Sequence, residues 1–237
     1  MIELKQIAIV VAGAPDDFAW RVAHILSEEL ALRSGREAEV SNTSPKDCFC
    51  FLIGTQEALY KTFPKEAGEL AALPVPGAEG FRLLCRKDKI VIAGADGRGC
   101  LYGMAHTLRK MALKPGFAAL TSELTDVSIT PSYPLRGHQL AYRDKQNTCP
   151  GWGVNDFDRY IRDLAFFGSN AIEILPPRTD DRLYSPKFGT DPLEMMVKLS
   201  GIIHSYGMDV WVWYPNMGKD YGDPKTRAAE IAEQEKM

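Results

Sequence analysis

One predicted strand carries a carboxylate among apolar side chains. In residues 170–176 (NAIEILP), Ile172 and Ile174 lie on one side of the strand and Glu173 on the other. If the isoleucines face helices, Glu173 faces the opposite side, where a buried carboxylate is costly unless it is paired or functional. Two compatible explanations stay open. Glu173 contacts a ligand, or it forms an ion pair with Arg136 of the preceding strand.

A second predicted strand presents two indole rings on one side. In residues 208–214 (MDVWVWY), Val210 and Val212 suit a helix-facing side, so Trp211 and Trp213 point the other way. Paired tryptophans near the end of a strand stack well on sugar rings. An aromatic layer of the protein core explains them equally well.

Polar residues continue along the first strand and into the predicted loops. His138 and Tyr142 follow Arg136, and the next loop (144–153) is first polar and then rigid and aromatic, as expected of a rim that shapes a pocket. The loop 176–189 carries Arg178 and two aspartates, which are either ligand contacts or members of a solvated surface loop.

These residues are positioned by an alternation of strands and amphipathic helices. The predicted strands are 135–142, 170–176 and 208–214, and the predicted helices are 154–168 and 191–207. Such alternation predicts a parallel sheet with helices on its outer face. A closed (β/α)8 barrel needs roughly 250 residues, whereas only about 100 follow Pro134. We therefore expect residues 131–237 to form the first three strands of an incomplete TIM barrel, the N-terminal part of something longer.

Residues 1–130 predict a separate, non-catalytic α+β domain. Apolar spacing indicates a helix at 16–35, strands at 6–13, 37–40 and 48–54, a hairpin at 80–96 and a helix at 100–113. The glycine-rich segment 94–103 (GADGRGCLYG) fits neither phosphate-binding motif. Anion binding at the helix start is therefore the weaker alternative to a tight turn with glycines at positive φ.

Composition excludes several classes of protein. The net charge of −3 gives no field for nucleic acid or anionic lipid, and the apolar runs are shorter than the ~20 residues that span a bilayer. The five cysteines contain no C-x-x-C pair, so we expect free thiols, no structural zinc and no cofactor. Met1 leads directly into a strand without a visible signal peptide, so localisation is unknown. A secreted or periplasmic parent would require that the N-terminus had been trimmed.

Three segments, one in residues 1–130 and two in residues 131–237, resemble known glycosidases. GFRLLCRKDKIVIAGADGRGCLYGMAHTLRKM resembles the end of the small α+β domain that precedes the barrel in family 20 β-hexosaminidases and family 67 α-glucuronidases, where a hairpin leads through G-x-D-x-R-G-x-x-Y-G into a long helix. PLRG (134–137) is similar to the first barrel strand of family 20, and DLAFFGSNAI (163–172) to the step into its second strand.

The resemblance implies a carbohydrate-active protein, the N-terminal portion of a glycoside hydrolase that cleaves hexosaminides or uronides in poly- or oligosaccharides. Arg136 matches an arginine that binds sugar hydroxyls, and Asn216 follows the third strand where sugar-binding asparagines occur. Family 20 places its catalytic Asp-Glu pair after a fourth strand, beyond the end of this chain, and its His-x-His-x-x-Asp-Asp-x-Gly segment is absent here. The expected substrate-binding residues are Arg136, His138, Tyr142, Glu173, Arg178, Trp213 and Asn216.

Two functional hypotheses follow. The parent protein is a glycoside hydrolase with two carboxylates flanking the scissile bond, or it is a non-catalytic carbohydrate-binding protein with a degenerate barrel site. In either case we expect the 237-residue chain alone to be inactive. We also expect it to self-associate through the open edge of the barrel segment.

Overall fold

The computed structural model describes residues 1–140, 148–174, 191–212 and 220–235. The chain divides into two compact units. Unit 1 comprises Met1–Pro134 and Ala165–Gly168, and unit 2 comprises Leu135–Leu164 and Ser169–Met237. Tyr142, Arg178, Trp213 and Asn216 lie outside the described residues.

Unit 1 is built on a six-stranded mixed sheet. Its strands are β2 (Ile7–Val11), β3 (Ala38–Ser41), β4 (Phe49–Thr55), β5 (Phe81–Cys85), β6 (Lys89–Gly94) and β9 (Val127–Ile129). They lie in the order β3-β2-β4-β6-β5-β9. β3, β2, β4 and β6 are parallel, whereas β5 is antiparallel to both of its neighbours. The predicted hairpin at 80–96 is therefore the β5–β6 pair.

Helices cover both faces of this sheet, because its central strands are apolar on both sides. Helices α1 (Phe18–Ser34) and α4 (Gly97–Arg109) contact one another, and both contact β4. Against the other face, α2 (Gln56–Thr62), α3 (Pro64–Glu69) and a 3-10 turn (Leu70–Ala72) contribute Leu59, Ala67 and Leu70 to the core. Residues 64–72 thus form short helical turns whose apolar side packs inward.

The buried Arg82 of β5 ties the second helical layer to the sheet. Its guanidinium donates to the carbonyl oxygens of Leu70 (2.9 Å) and Leu73 (3.3 Å) and to the side-chain oxygen of Gln56. Helix ends expose unpaired carbonyls with partial negative charge, so the arginine satisfies them while its own charge is compensated.

The glycines of segment 94–103 are required by close packing and not by positive φ. The glycines with positive φ lie elsewhere, for example Gly35 (68°), which ends α1. A Cβ on Gly99 would lie 2.1 Å from the carbonyl oxygen of Gly80. Asp96 caps α4 by accepting from Gly99 N (2.9 Å). The positive-φ prediction for this segment is therefore wrong, although its prediction of a turn into a helix is confirmed.

A second, three-stranded sheet was not foreseen. β1 (Ile2–Glu3), β8 (Phe117–Leu120) and β7 (Met111–Lys114) pair antiparallel in that order. The helix expected to reach residue 113 ends at Arg109, because the next residues pair with β8.

Unit 2 contains three parallel strands connected through helices. In chain order its elements are β10 (Gly137–Gln139), α5 (Val154–Phe166), β11 (Ala171–Ile174), α6 (Pro192–Ser205), β12 (Asp209–Val212) and α7 (Pro224–Gln234). The strands pair in the order β10-β11-β12. Within the described ranges, no helix has the length and apolar character needed to cross a membrane.

Candidate functional site

One face of the β10–β12 sheet carries a row of three chemically distinct side chains. Gln139 pairs with Glu173, and Glu173 pairs with Trp211. In-register residues of parallel strands point to the same face, so an amide, a carboxylate and an indole lie side by side. Gln139 is exposed, Glu173 is half-buried, and Trp211 is 51% exposed. We call these three residues the open row.

The opposite face of the same sheet is packed against helix. Ile172 and Ile174 are fully buried, as the alternation of strand 170–176 predicts. His138 pairs with Ile172 and therefore lies on this side. Its Nε2 shares a hydrogen bond of 2.9 Å with the hydroxyl of Tyr160 on α5. Burial lowers the pKa of His138, which favours the neutral imidazole.

The His138–Tyr160 pair belongs to an aromatic cluster at the start of α5. The ring of Trp152 contacts Tyr160 (5.4 Å between centroids) and Phe157 (5.2 Å), both edge-on. The Trp152 indole nitrogen donates to Thr148 Oγ1 (3.1 Å). His138 thus helps to anchor the segment that enters α5, a positioning role that sequence spacing alone does not reveal.

Arg136 lies just before β10 and is held through its backbone. Its N–H donates to Asn170 Oδ1 (2.8 Å), and its carbonyl accepts from Asn170 N (3.1 Å). The arginine is half-buried. Among the ion pairs of the described residues, none joins Arg136 to Glu173. The register explains this, because Arg136 aligns with Asn170, three residues before Glu173.

Asn170 aligns the starts of all three strands. It is 3% exposed, and besides its two bonds to Arg136 its carbonyl accepts from Asp209 N (2.9 Å). A buried amide is tolerated only when it is hydrogen-bonded. The asparagine of the GSNAI segment therefore fixes the register that creates the open row.

A buried polar network joins the two helices of the β10–β12 layer. The Tyr206 hydroxyl, at the end of α6, donates to Asp158 Oδ1 (2.8 Å) and accepts from Arg162 Nε (2.9 Å), both on α5. Burial raises the pKa of Tyr206 to about 12, so the phenol stays protonated. The two helices that support the sheet are held in a fixed relation.

Sequence reasoning identified two members of the open row and missed the third. Glu173 and Trp211 followed from strand alternation, whereas Gln139 is visible only once β10 is aligned with β11. In the described ranges no group of three or more His, Cys, Asp or Glu side chains is arranged to hold a metal ion. The row offers hydrogen-bond donors and acceptors beside an aromatic face, which suits a polyhydroxylated ring.

Comparison with known proteins places the fold among glycoside hydrolases. No protein-family model matches the sequence, and no curated protein matches it. A mutant β-hexosaminidase of Streptomyces plicatus, solved with its product GlcNAc, superposes with a TM-score of 0.60 at 13% identity, over 90% of this chain and 44% of that one. CpGH84B gives 0.62 at 15% identity, over 95% of this chain and 36% of that one.

A third similar structure has a different substrate. The family GH115 4-O-methyl-α-glucuronidase BtGH115A, which has specificity for decorated arabinogalactans, gives a TM-score of 0.55 at 14% identity, over 88% of this chain and 29% of that one. The chain spans less than half the length of these three proteins. The glycoside hydrolase-like fold expected from the sequence is confirmed, and the fold alone does not select a sugar.

Proposed function

We propose that this chain is the N-terminal part of a carbohydrate-active protein of the glycoside hydrolase type, and that the open row is part of its sugar-binding surface. The observation that carries the proposal is the row itself. It places an amide, a carboxylate and a half-exposed indole on one face of a parallel sheet in a fold that glycoside hydrolases share.

The proposal assigns residues 131–237 to the first three strands of a (β/α)8 barrel and residues 1–130 to a non-catalytic domain. Three parallel strands linked by helices are how such a barrel begins. The face of the open row would then be turned to the barrel interior, with the helices outside. Active sites of these barrels lie at the carboxyl ends of the strands, where Glu173 and Trp211 are found.

The substrate would be a hexosaminide or a uronide. Glu173 would accept from sugar hydroxyls, and Trp211 would stack on the apolar face of a ring, as Trp213 would if the alternation of its strand continues. Arg136 precedes β10 and aligns with Asn170, on the side of His138 and away from the open row. Its guanidinium would therefore be a separate sugar contact, whose five donors in a planar arrangement suit vicinal hydroxyls or a uronate carboxylate. Tyr142, Arg178 and Asn216 would lie on the rim loops.

A direct test combines two substitutions with a stability control. Arg136→Lys keeps the positive charge and removes the planar guanidinium with its paired donors. Glu173→Gln keeps the shape of the side chain and removes its negative charge. Each should weaken binding of N-acetylglucosamine or glucuronic acid by about 1–3 kcal/mol, the scale of a hydrogen bond to a charged group. The melting temperature should change little. If both variants melt much earlier while binding per folded molecule is unchanged, the two residues are structural and the proposal fails.

The hydrolase and the non-catalytic alternative differ in one property of the parent protein. A hydrolase needs two carboxylates flanking the glycosidic bond. An acidic pair after a fourth strand, together with hydrolysis of aryl glycosides by the parent, would support the enzyme. Sugar binding by a parent without such a pair would support the binding protein.

A further inference from the structure

Two cysteine thiols of unit 1 lie in contact at the start of β4. The Sγ atoms of Cys48 and Cys50 are 3.7 Å apart. Cys48 is half-buried, whereas Cys50 is 8% exposed. Residues two apart in an extended segment point to the same side, and their Cα atoms are separated by about 6.6 Å. That spacing is at the upper end of the roughly 4.4–6.8 Å range of Cα separations in disulfides, and the two Cβ atoms must also come within about 3.5–4.5 Å before a bond can form.

The pair borders an open cavity, so a small molecule can reach it. The cavity has a volume of about 900 Å³ and is lined by both cysteines. Ser44 Oγ lies 3.7 Å from Cys50 Sγ at the same wall. The charged residues that line the cavity have both signs, so its field does not select a cationic or an anionic reagent: Glu3, Lys5, Lys46, Asp47, Lys87, Asp88 and Lys89.

We propose that Cys48 and Cys50 are a modification site that forms a reversible intramolecular disulfide by exchange with a low-molecular-weight disulfide. The Cys48 thiolate attacks one sulfur of the reagent, forms a mixed disulfide and releases the first thiol. Cys50 Sγ then attacks the Cys48 sulfur, closes the protein disulfide and releases the second thiol. Two protein thiols are oxidised, one reagent disulfide is reduced to two thiols, and the two protein protons pass to the leaving thiolates.

The geometry favours this pair over the other three cysteines. Closing the bond needs the sulfurs to approach from 3.7 Å to about 2.05 Å and the Cβ atoms to come within roughly 3.5–4.5 Å of each other, so the backbone at Cys48, in the bend just before β4, must move towards Cys50. Cys85, Cys100 and Cys149 have no second thiol within hydrogen-bonding distance in the described residues. Thiol–disulfide exchange at any of these three gives a mixed disulfide or a link between chains.

The reaction should be slow at neutral pH. Burial raises the pKa of Cys48 to about 11, and the neighbouring Cys50 is the second largest cause of that increase. Because only the thiolate attacks, the rate should rise about tenfold per pH unit while the pH remains below that value.

The test uses oxidised glutathione on the whole 237-residue chain under native conditions. After alkylation and digestion, mass spectrometry should find one intramolecular Cys48–Cys50 disulfide per chain, reversed by dithiothreitol and formed faster as pH rises. In Cys50→Ser the reaction should stop at a mixed disulfide on Cys48. Cys85→Ser, the matched control, should behave like the wild type, although burial also raises the Cys85 pKa to about 11.

The proposal is overturned if the wild type accumulates the same mixed disulfide on Cys48 as Cys50→Ser. It is also overturned if the cysteines link separate chains, or if all five thiols stay alkylatable. These readouts are made on the wild-type chain as well as on the variants. A variant that folds poorly therefore does not decide the outcome.

Discussion

The two units use their sheets in opposite ways. In unit 1, all five residues of β2 and the first six of β4 are buried, because helices cover both faces. In unit 2, Ile172 and Ile174 of β11 are fully buried, whereas Gln139 of β10 and Trp211 of β12, which point to the other face, are exposed. A sheet buried on both faces exposes few side chains that could bind a ligand. A sheet with one exposed face buries less apolar surface, but its exposed side chains can contact a ligand. The difference is consistent with a stabilising role for unit 1 and with the ligand contact proposed for unit 2.

The sharpest test of this contrast replaces one large aromatic residue in each unit by alanine. Phe51 on β4 is 0% exposed, and Trp211 on β12 is 51% exposed. Phe51→Ala should lower the free energy of unfolding by about 3–5 kcal/mol, because it leaves a cavity in close-packed core. Trp211→Ala should cost less than about 1 kcal/mol. Urea denaturation measures both, with the exposed Val75→Ala as control. A Trp211 cost equal to that of Phe51 would show that the open row is core.

The second prediction concerns what sets the register of the open row. Asn170→Ala removes the acceptor for Arg136 N and leaves buried polar groups unpaired, so it should destabilise unit 2 by about 1–3 kcal/mol. Hydrogen exchange should rise in β10 and β11 and stay unchanged in β2 and β4. If the protection of β10 and β11 from hydrogen exchange stays at the wild-type level after Asn170→Ala, the asparagine does not hold that sheet together.

A smaller effect should appear at high pH in unit 2. The pKa of Tyr206 is raised to about 12 by burial, whereas an exposed tyrosine titrates near 10. Between these values the unfolded chain loses the phenolic proton while the folded chain keeps it. The contribution of Tyr206 to the free energy of unfolding is therefore fully present below pH 10 and falls by about 2 kcal/mol as the pH rises towards 12. Tyr206→Phe lacks this group, so the wild-type advantage over the variant should shrink over that interval. An advantage independent of pH would contradict the assigned burial.

Local pattern was sufficient for most of the elements. The cap at Gly35 and the apolar spacing predicted α1 to within two residues, and alternation separated Ile172 and Ile174 from Glu173 correctly. The local pattern was insufficient where pairing between strands far apart in the sequence decides the structure. Met111–Lys114 continues the apolar spacing of α4, yet it forms a strand because β8 pairs with it.

The same limit explains what was missed around the candidate site. The His138–Tyr160 hydrogen bond depends on how α5 lies on the sheet, which spacing along one chain segment does not encode. The place of Gln139 in the open row depends on register between strands. The Cys48–Cys50 contact does not follow from C-x-x-C spacing, although residues two apart in an extended segment share a side.

The most direct test of the account is to map sugar binding on the 237-residue chain by NMR. We expect N-acetylglucosamine or glucuronic acid to shift the amide signals of β10, β11 and β12, with a dissociation constant on the order of 1 mM. The signals of β2 and β4 should be unaffected, and Trp211→Ala should abolish the shifts while the chain stays folded. Shifts confined to unit 1, or no shifts at all at sugar concentrations far above that constant, would contradict the assignment of ligand contact to the open row.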